Sequence, residues 1–141
     1  MTELNHFIFI IHIASTLFMT GLIWIIQLLH YPSYRYIQVE KFTDYQRFHT
    51  HRITYIVGPV MLSEVLSGIY LTVLNAWTTF YTLNSIGLCI IWLSTLFFSI
   101  PAHNKLNEGF NDKTISNLLK TNWIRTLTWT IRAILLLDLL F

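Results

Sequence analysis

The chain has 141 residues, of which 54% are hydrophobic, 16% are aromatic and only 11% are charged. Soluble domains carry about 25% charged residues. This composition, with a mean hydropathy of +0.53, excludes an ordinary water-soluble fold, a disordered tail and a nucleic-acid-binding module, and it indicates an integral membrane protein. The single cysteine, Cys89, excludes an internal disulfide and a cysteine-based zinc site, which leaves six histidines as the plentiful ligand type.

Four long apolar runs predict four transmembrane helices, because a hydrocarbon core about 30 Å thick needs roughly 20 apolar residues per helix. The runs cover residues 7–29, 53–74, 83–100 and 122–141. The first run is longer than a signal-peptide core and no Lys or Arg precedes it, so we expect it to remain as an anchor. The predicted fold is all-α: one antiparallel four-helix transmembrane bundle that occupies residues 1–141.

Three prolines mark the predicted helices. Pro32 follows the first run and Pro101 follows the third, and we expect the helices to end there because proline lacks a backbone N–H. Pro59, preceded by Gly58, lies inside the second run and predicts a kink.

Basic residues set the expected orientation. Eight of the nine lie in or beside two of the three connections: Arg35, Lys41, Arg47, Arg52, Lys105, Lys113, Lys120 and Arg125. The positive-inside rule places both connections in the cytoplasm and both termini outside. We predict that each connection forms a short amphipathic helix in the headgroup layer, with apolar positions at Val39, Phe42 and Tyr45 in the first and at Ile115, Leu118 and Leu119 in the second.

Polar residues gather at the predicted cytoplasmic helix ends: His30, His49, His51, His103, Asn122 and Arg125. Neutral imidazole binds haem iron, copper and zinc, and it titrates near neutrality. We therefore expect His30, His49 and His103 to bind haem or a transition metal ion or to transfer protons, with interfacial hydrogen bonding as the alternative. His51 lies beside Arg52, where contact with headgroup phosphates is the ordinary role.

Polar stripes at helical spacing run along the first and fourth spans and predict faces that point into the bundle. They comprise His12, Thr16, Thr20, Trp24 and Gln27 on the first span and Asn122, Arg125, Trp129 and Arg132 on the fourth. A histidine such as His12 is ordinarily a hydrogen-bonded structural residue. An intramembrane His12 is also a candidate axial haem ligand.

Glu64 and Arg132 lie at matching depths in the membrane. Glu64 is eleven residues beyond Ile53 and Arg132 is ten beyond Asn122, so each is about 15 Å from the cytoplasmic ends of the helices. A lone charge at that depth costs at least about 2.5 kcal/mol. We therefore predict that the two side chains pair, either as an internal staple that fixes helix register or as part of a functional site.

Several motifs carry a family resemblance: His30-Tyr31-Pro32, then His49, Arg52, Pro59, Met61 and Glu64, then Pro101-Ala102-His103, then Asn122, Arg125, Trp129 and Arg132. This pattern resembles a group of small uncharacterised bacterial four-helix membrane proteins. A histidine in the first helix, the Tyr31-Pro32 step, and Pro59 to Met61 followed by Gly68 are loosely similar to the HemJ type of protoporphyrinogen oxidase. Anthrone-oxygenase-like proteins have a comparable size and layout. The resemblance implies a haem-binding oxidoreductase of a bacterial inner membrane.

The predicted function is a small membrane oxidoreductase or oxygenase that acts on a lipophilic, aromatic or quinone-like molecule. Arg125 and Arg132 are expected to bind a polarised oxygen, Asn122 to orient it, and Glu64 to hold Arg132 or act as an acid-base group. The alternative is a non-enzymatic accessory or assembly subunit of a larger membrane complex. A third alternative is a small-molecule or ion transporter, for which Gly58-Pro59 is the one sign of a broken helix. Association into a homo-oligomer is also expected for so small a bundle. Expected partners are membrane lipids and a lipophilic small molecule, and no nucleic acid.

Overall fold

A computed structural model describes residues 2–139, which form four helices and no strand. The helices are α1 (Glu3–Tyr36), α2 (Val39–Leu74), α3 (Thr79–Leu106) and α4 (Asp112–Asp138). The first three are long and apolar enough to cross a membrane, judged by length and composition. Leu140 and Phe141, which end the predicted fourth span, lie outside the described residues.

Neighbouring helices run antiparallel. In the α1–α2 pair, the Tyr70 hydroxyl donates to Asn5 near one end, and His49 contacts His30 near the other. Hydrogen bonds at two levels show the same antiparallel arrangement for α2 and α3, for α3 and α4, and for α1 and α4. Both charged connections therefore lie at one end of the bundle, where the Arg35 guanidinium bonds the Asp112 carboxylate at 2.7 Å.

The segments predicted as separate amphipathic helices are instead parts of the bundle, and that prediction is wrong. Helix α2 is continuous from Val39, well before the predicted start of its apolar span at Ile53. Phe42, Ile115 and Leu118 are fully buried in one core cluster, whereas Val39 is exposed. The apolar faces of the two segments pack inside the protein, so they lengthen the bundle beyond its apolar spans.

Pro32 and Pro101 do not end their helices, contrary to expectation. A π-helical turn precedes each proline, Ile26–His30 in α1 and Thr95–Ser99 in α3. Each proline then occupies the first turn of the next α-helical segment, where a missing N–H is tolerated. The helices therefore continue past their apolar runs and carry His30 and His103 into the bundle.

The bundle buries polar side chains and exposes apolar ones, which is the reverse of a soluble protein. Glu64 is 0% exposed and Arg132 is 2% exposed, whereas Ile131 and Ile134 are 58% and 62% exposed. In α4 the polar stripe faces inward, as predicted, and an apolar face points outward. The polar and charged side chains that could form a functional site therefore lie in the interior of the bundle.

Candidate functional site

The predicted site residues form two clusters at different levels of the bundle. We call the first the mid-bundle network: His12, Thr16, Glu64, Ser67, Asn84, Trp129 and Arg132. We call the second the histidine cluster: Gln27, His30, Tyr31, Gln46, His49, His103, Asn122 and Arg125. Arg125 and Arg132 are seven residues apart on α4, which separates the two levels by about 10 Å. The four predicted catalytic residues therefore divide into two pairs.

The mid-bundle network is centred on an ion pair, which confirms the predicted pairing. Arg132 Nη1 lies 2.6 Å from Glu64 Oε1, and both side chains are buried. Thr16 Oγ1 donates to the same carboxylate oxygen at 2.8 Å, and Trp129 Nε1 donates to Oε2 at 3.1 Å. Both carboxylate oxygens therefore have donors within the protein, as a buried charge requires.

His12 is held in one tautomer by this network. Arg132 Nε donates to Asn84 Oδ1 at 2.9 Å, which orients the Asn84 amide so that its Nδ2 donates to His12 Nε2 at 2.9 Å. The other ring nitrogen, Nδ1, then carries the hydrogen and donates to Ser67 Oγ at 2.9 Å. Because both ring nitrogens have partners, His12 does not fit the predicted role of axial haem ligand.

Two glycines make room for the long side chains of the network. A Cβ at Gly87 would lie 2.6 Å from Arg132 Cδ, and a Cβ at Gly68 would lie 2.9 Å from His12 Cε1. Neither Gly87 nor Asn84 was among the predicted site residues. In the sequence, Asn84 is a polar residue and Gly87 a small residue within the apolar run 83–100. Such residues are also common where transmembrane helices simply pack together, so they did not indicate a site.

Two of the clustered histidines, His30 and His49, contact each other directly. Their Nε2 atoms are 3.1 Å apart and their ring centroids are 4.0 Å apart. A hydrogen bond between two imidazole nitrogens requires one donor and one acceptor, so both rings cannot be cations in this arrangement.

His103 is bonded on both sides of its ring. Its Nε2 is 3.0 Å from the Tyr31 hydroxyl, and its Nδ1 is 2.9 Å from Gln46 Nε2. The His49 and His103 ring centroids are 6.2 Å apart. Helices α1, α2 and α3 thus bring three of the predicted histidines into one cluster.

Arg125 contributes a buried positive charge to the cluster. Its guanidinium donates to Asn122 Oδ1 through Nη2 and, at 3.0 Å, through Nε. It also donates to the Tyr31 hydroxyl at 3.3 Å. Asn122 in turn donates to Gln27 Oε1 at 2.7 Å. Within residues 2–139, the salt bridges pair Arg35 with Asp112 and Arg132 with Glu64, and none reaches Arg125. The cluster therefore holds a cation that only neutral groups contact.

A cleft opens beside the cluster between α2 and α3. Its volume is about 230 Å³, and it is lined by Thr50, Ile53, Thr54, Ile100, His103, Asn104 and Asn107. His103 is the one titratable side chain in this lining. The cleft combines hydroxyl and amide groups with two isoleucines, so it suits a molecule with a polar head and an apolar body.

His51 is the one predicted member that stays outside the cluster. It is exposed and packs edge-on against the Tyr55 ring, with centroids 5.0 Å apart. The other five residues predicted at this end of the bundle meet as expected. Glu64 and Arg132 line neither the cleft nor the larger groove between α3 and α4.

The histidine cluster fits a metal ion in part. Two nitrogens that each bind a tetrahedral metal at about 2.0–2.1 Å lie roughly 3.3 Å apart, and the His30 and His49 nitrogens are 3.1 Å apart. However, no three His, Cys, Asp or Glu side chains within residues 2–139 are grouped to hold a metal. A haem does not fit between His30 and His49, because contacting ring nitrogens leave no space for a macrocycle.

Comparisons with known proteins provide no relative. Neither a protein-family model, nor a curated protein, nor a solved structure matches the chain. The similarity to HemJ-type and anthrone-oxygenase-like proteins therefore stays a prediction, and the function must be inferred from the geometry of the two clusters.

Proposed function

We propose that all four helices cross a lipid bilayer, with both charged connections in the cytoplasm and both termini outside. Helix α4 contains more charged residues than an apolar span allows, yet two of them, Arg125 and Arg132, are buried inside the bundle. Its outward face carries Leu127, Ile131 and Ile134, all exposed. A lipid environment accounts for that face, and the position of the basic connections supports the orientation.

Within this placement, the chain acts as a small membrane oxidoreductase whose active centre is the histidine cluster. The observation that carries this proposal is the buried Arg125 guanidinium, which forms no salt bridge within residues 2–139 and is linked through Tyr31 to His103 at the cleft. Uncompensated charge inside a membrane protein is costly and typically serves a substrate or an ion. A positive charge at this point favours an electron-rich oxygen on the bound molecule.

The cleft defines the class of substrate. A lipophilic molecule with a carbonyl or hydroxyl oxygen, such as a quinone, would place its head beside His103 and its apolar body against Ile53 and Ile100. Asn107 and Thr50 supply hydrogen-bonding groups in the same lining. For His103 to donate or accept the proton, the substrate oxygen would have to replace one of its two ring partners, the Tyr31 hydroxyl or the Gln46 amide.

A transition metal ion would be held by His30 and His49, together with ligands beyond these two. When bound, it would supply one-electron chemistry next to the cleft, because the His49 ring centroid is 6.2 Å from that of His103. The chain's own contribution would be to bind the ion, orient the substrate and move protons through His103.

Filling the cleft is expected to block binding of a quinone. The exposed side chain of Thr54 lines the cleft, so Thr54→Trp would occupy much of its volume. We expect the Kd for decylubiquinone, measured by quenching of tryptophan fluorescence in detergent, to rise at least about tenfold. His103→Gln is expected to weaken binding in the same direction.

The matched control is Thr79→Trp, at the first residue of α3 and exposed at the other end of the bundle. It adds the same fluorophore but should leave the Kd unchanged. Equal decylubiquinone affinity in the wild type, Thr54→Trp and Thr79→Trp would remove the cleft from the proposal.

A second candidate function is an accessory subunit of a larger membrane complex. A groove of about 340 Å³ between α2 and α3 favours it, because its lining includes Ile69, Leu88, Trp77 and Trp92. An apolar groove of this kind suits a partner helix as well as it suits lipid. Purification with a stoichiometric partner chain, combined with no affinity for decylubiquinone, would favour this alternative.

A further inference from the structure

We propose that the groove between α3 and α4 binds one anionic phospholipid of the cytoplasmic leaflet, with its phosphate between Lys105 and Lys120. This inference rests on the membrane placement proposed above and is independent of the chemistry of the histidine cluster. The groove has a volume of about 450 Å³ and lies on a different face from the cleft at His103.

The lining of the groove changes from apolar to basic along α3. Phe97 and Phe98 lie at its apolar end and are 68% and 46% exposed. Lys105 follows Phe97 by eight residues, which is about 12 Å along the helix axis. The aromatic rings therefore lie at acyl-chain depth when the lysine reaches the headgroup layer.

The charges of the groove favour an anion. Its lining contains Lys105, Lys120 and the Asn117 amide, and it contains no Asp or Glu. Neither lysine forms a salt bridge within the described part of the chain, whereas Arg35, at the same end of the bundle, pairs with Asp112.

Gly87 packs against Arg132 in the antiparallel α3–α4 pair, so Lys120 lies near the level of Ser99, about 9 Å deeper than Lys105. The long side chain of Lys120 would extend along the groove toward Lys105, so that the two ammonium groups hold a phosphodiester headgroup above Phe97.

Native mass spectrometry of the detergent-purified protein tests this inference. We expect the wild type to retain one phosphatidylglycerol molecule with at least about tenfold higher affinity than phosphatidylcholine. The double variant Lys105→Gln/Lys120→Gln should lose that preference. The double variant Lys41→Gln/Lys113→Gln removes the same charge at positions outside the groove lining and should keep it.

Three outcomes would overturn the inference. The first is equal affinity of the wild type for the two lipids, and the second is an equal loss of preference in both double variants. The third is displacement of phosphatidylglycerol by millimolar inorganic phosphate, which would indicate a site for the free ion. Alkaline carbonate extraction of native membranes separately tests the membrane placement, because release of the wild type would contradict that proposal whatever the lipid preference.

Discussion

Replacing Glu64 with glutamine is expected to lower the free energy of unfolding by about 3–5 kcal/mol, since the buried Arg132 guanidinium would lose its counter-charge. The pair is 2.6 Å apart with both side chains buried, so water cannot replace the missing carboxylate. Arg132→Gln should destabilise the protein by a similar amount. Reversible unfolding in mixed detergent micelles, followed by circular dichroism, measures both changes.

The double variant Glu64→Gln/Arg132→Gln tests whether the two residues act as a pair. We expect its loss of stability to be much smaller than the sum of the single losses, because it removes both buried charges together. Arg35→Gln is the matched control, since it breaks an exposed pair of nearly equal length, 2.7 Å, and should cost at most about 1 kcal/mol. Additive single and double effects would contradict the pairing.

The same variants separate a staple from a functional site. Glu64 and Arg132 do not line the cleft at His103, so Glu64→Gln protein that remains folded should bind decylubiquinone with unchanged affinity. A loss of affinity in the folded variant would place the mid-bundle network in the proposed function.

Gly87→Ala has the second-largest expected effect. The added Cβ would lie 2.6 Å from Arg132 Cδ and 3.0 Å from Cγ. These atoms cannot move aside freely, because the guanidinium is bonded to both Glu64 and Asn84. We expect a loss of about 1–3 kcal/mol in unfolding free energy, as for other overpacked interiors.

Gly21→Ala is the control for Gly87→Ala. Gly21 lies inside α1, and apart from its own stretch of helix no atom of residues 2–139 is within 4 Å of the position its Cβ would take. Alanine is a better helix former than glycine by about 1 kcal/mol, so this variant should be neutral or more stable. Equal stability changes in the two variants would show that the close approach at Gly87 is unimportant.

The Glu64–Arg132 pairing was predictable from sequence because depth in a membrane can be calculated from residue number. Two charges at the same depth have few other ways to avoid lipid. The inward stripes of α1 and α4 followed from the same reasoning, since His12 on α1 and Arg132 on α4 had no favourable place against lipid, and both are buried. These predictions follow from the cost of exposing polar groups to lipid, and they do not require knowledge of individual side-chain contacts.

The division of the polar residues into two clusters was not predictable. It depends on which side chains meet across helices, and Asn84 and Gly87 have no distinctive pattern in an apolar run. The helix ends were also missed, because a π-helical turn lets Pro32 and Pro101 lie within continuing helices. The missing N–H of proline predicts the end of a helix. It does not predict that a wider π-helical turn before the proline lets the helix continue.

The metal content of the purified protein tests the proposed active centre most directly. Elemental analysis of protein prepared without chelators should give about one transition metal ion per chain in the wild type and in His51→Ala, whose ring lies outside the cluster. His49→Ala should lose the ion, because it removes one of the two nitrogens that are 3.1 Å apart. Wild-type protein without a stoichiometric transition metal, or with a metal that His49→Ala retains, would contradict metal binding by His30 and His49 at the proposed centre.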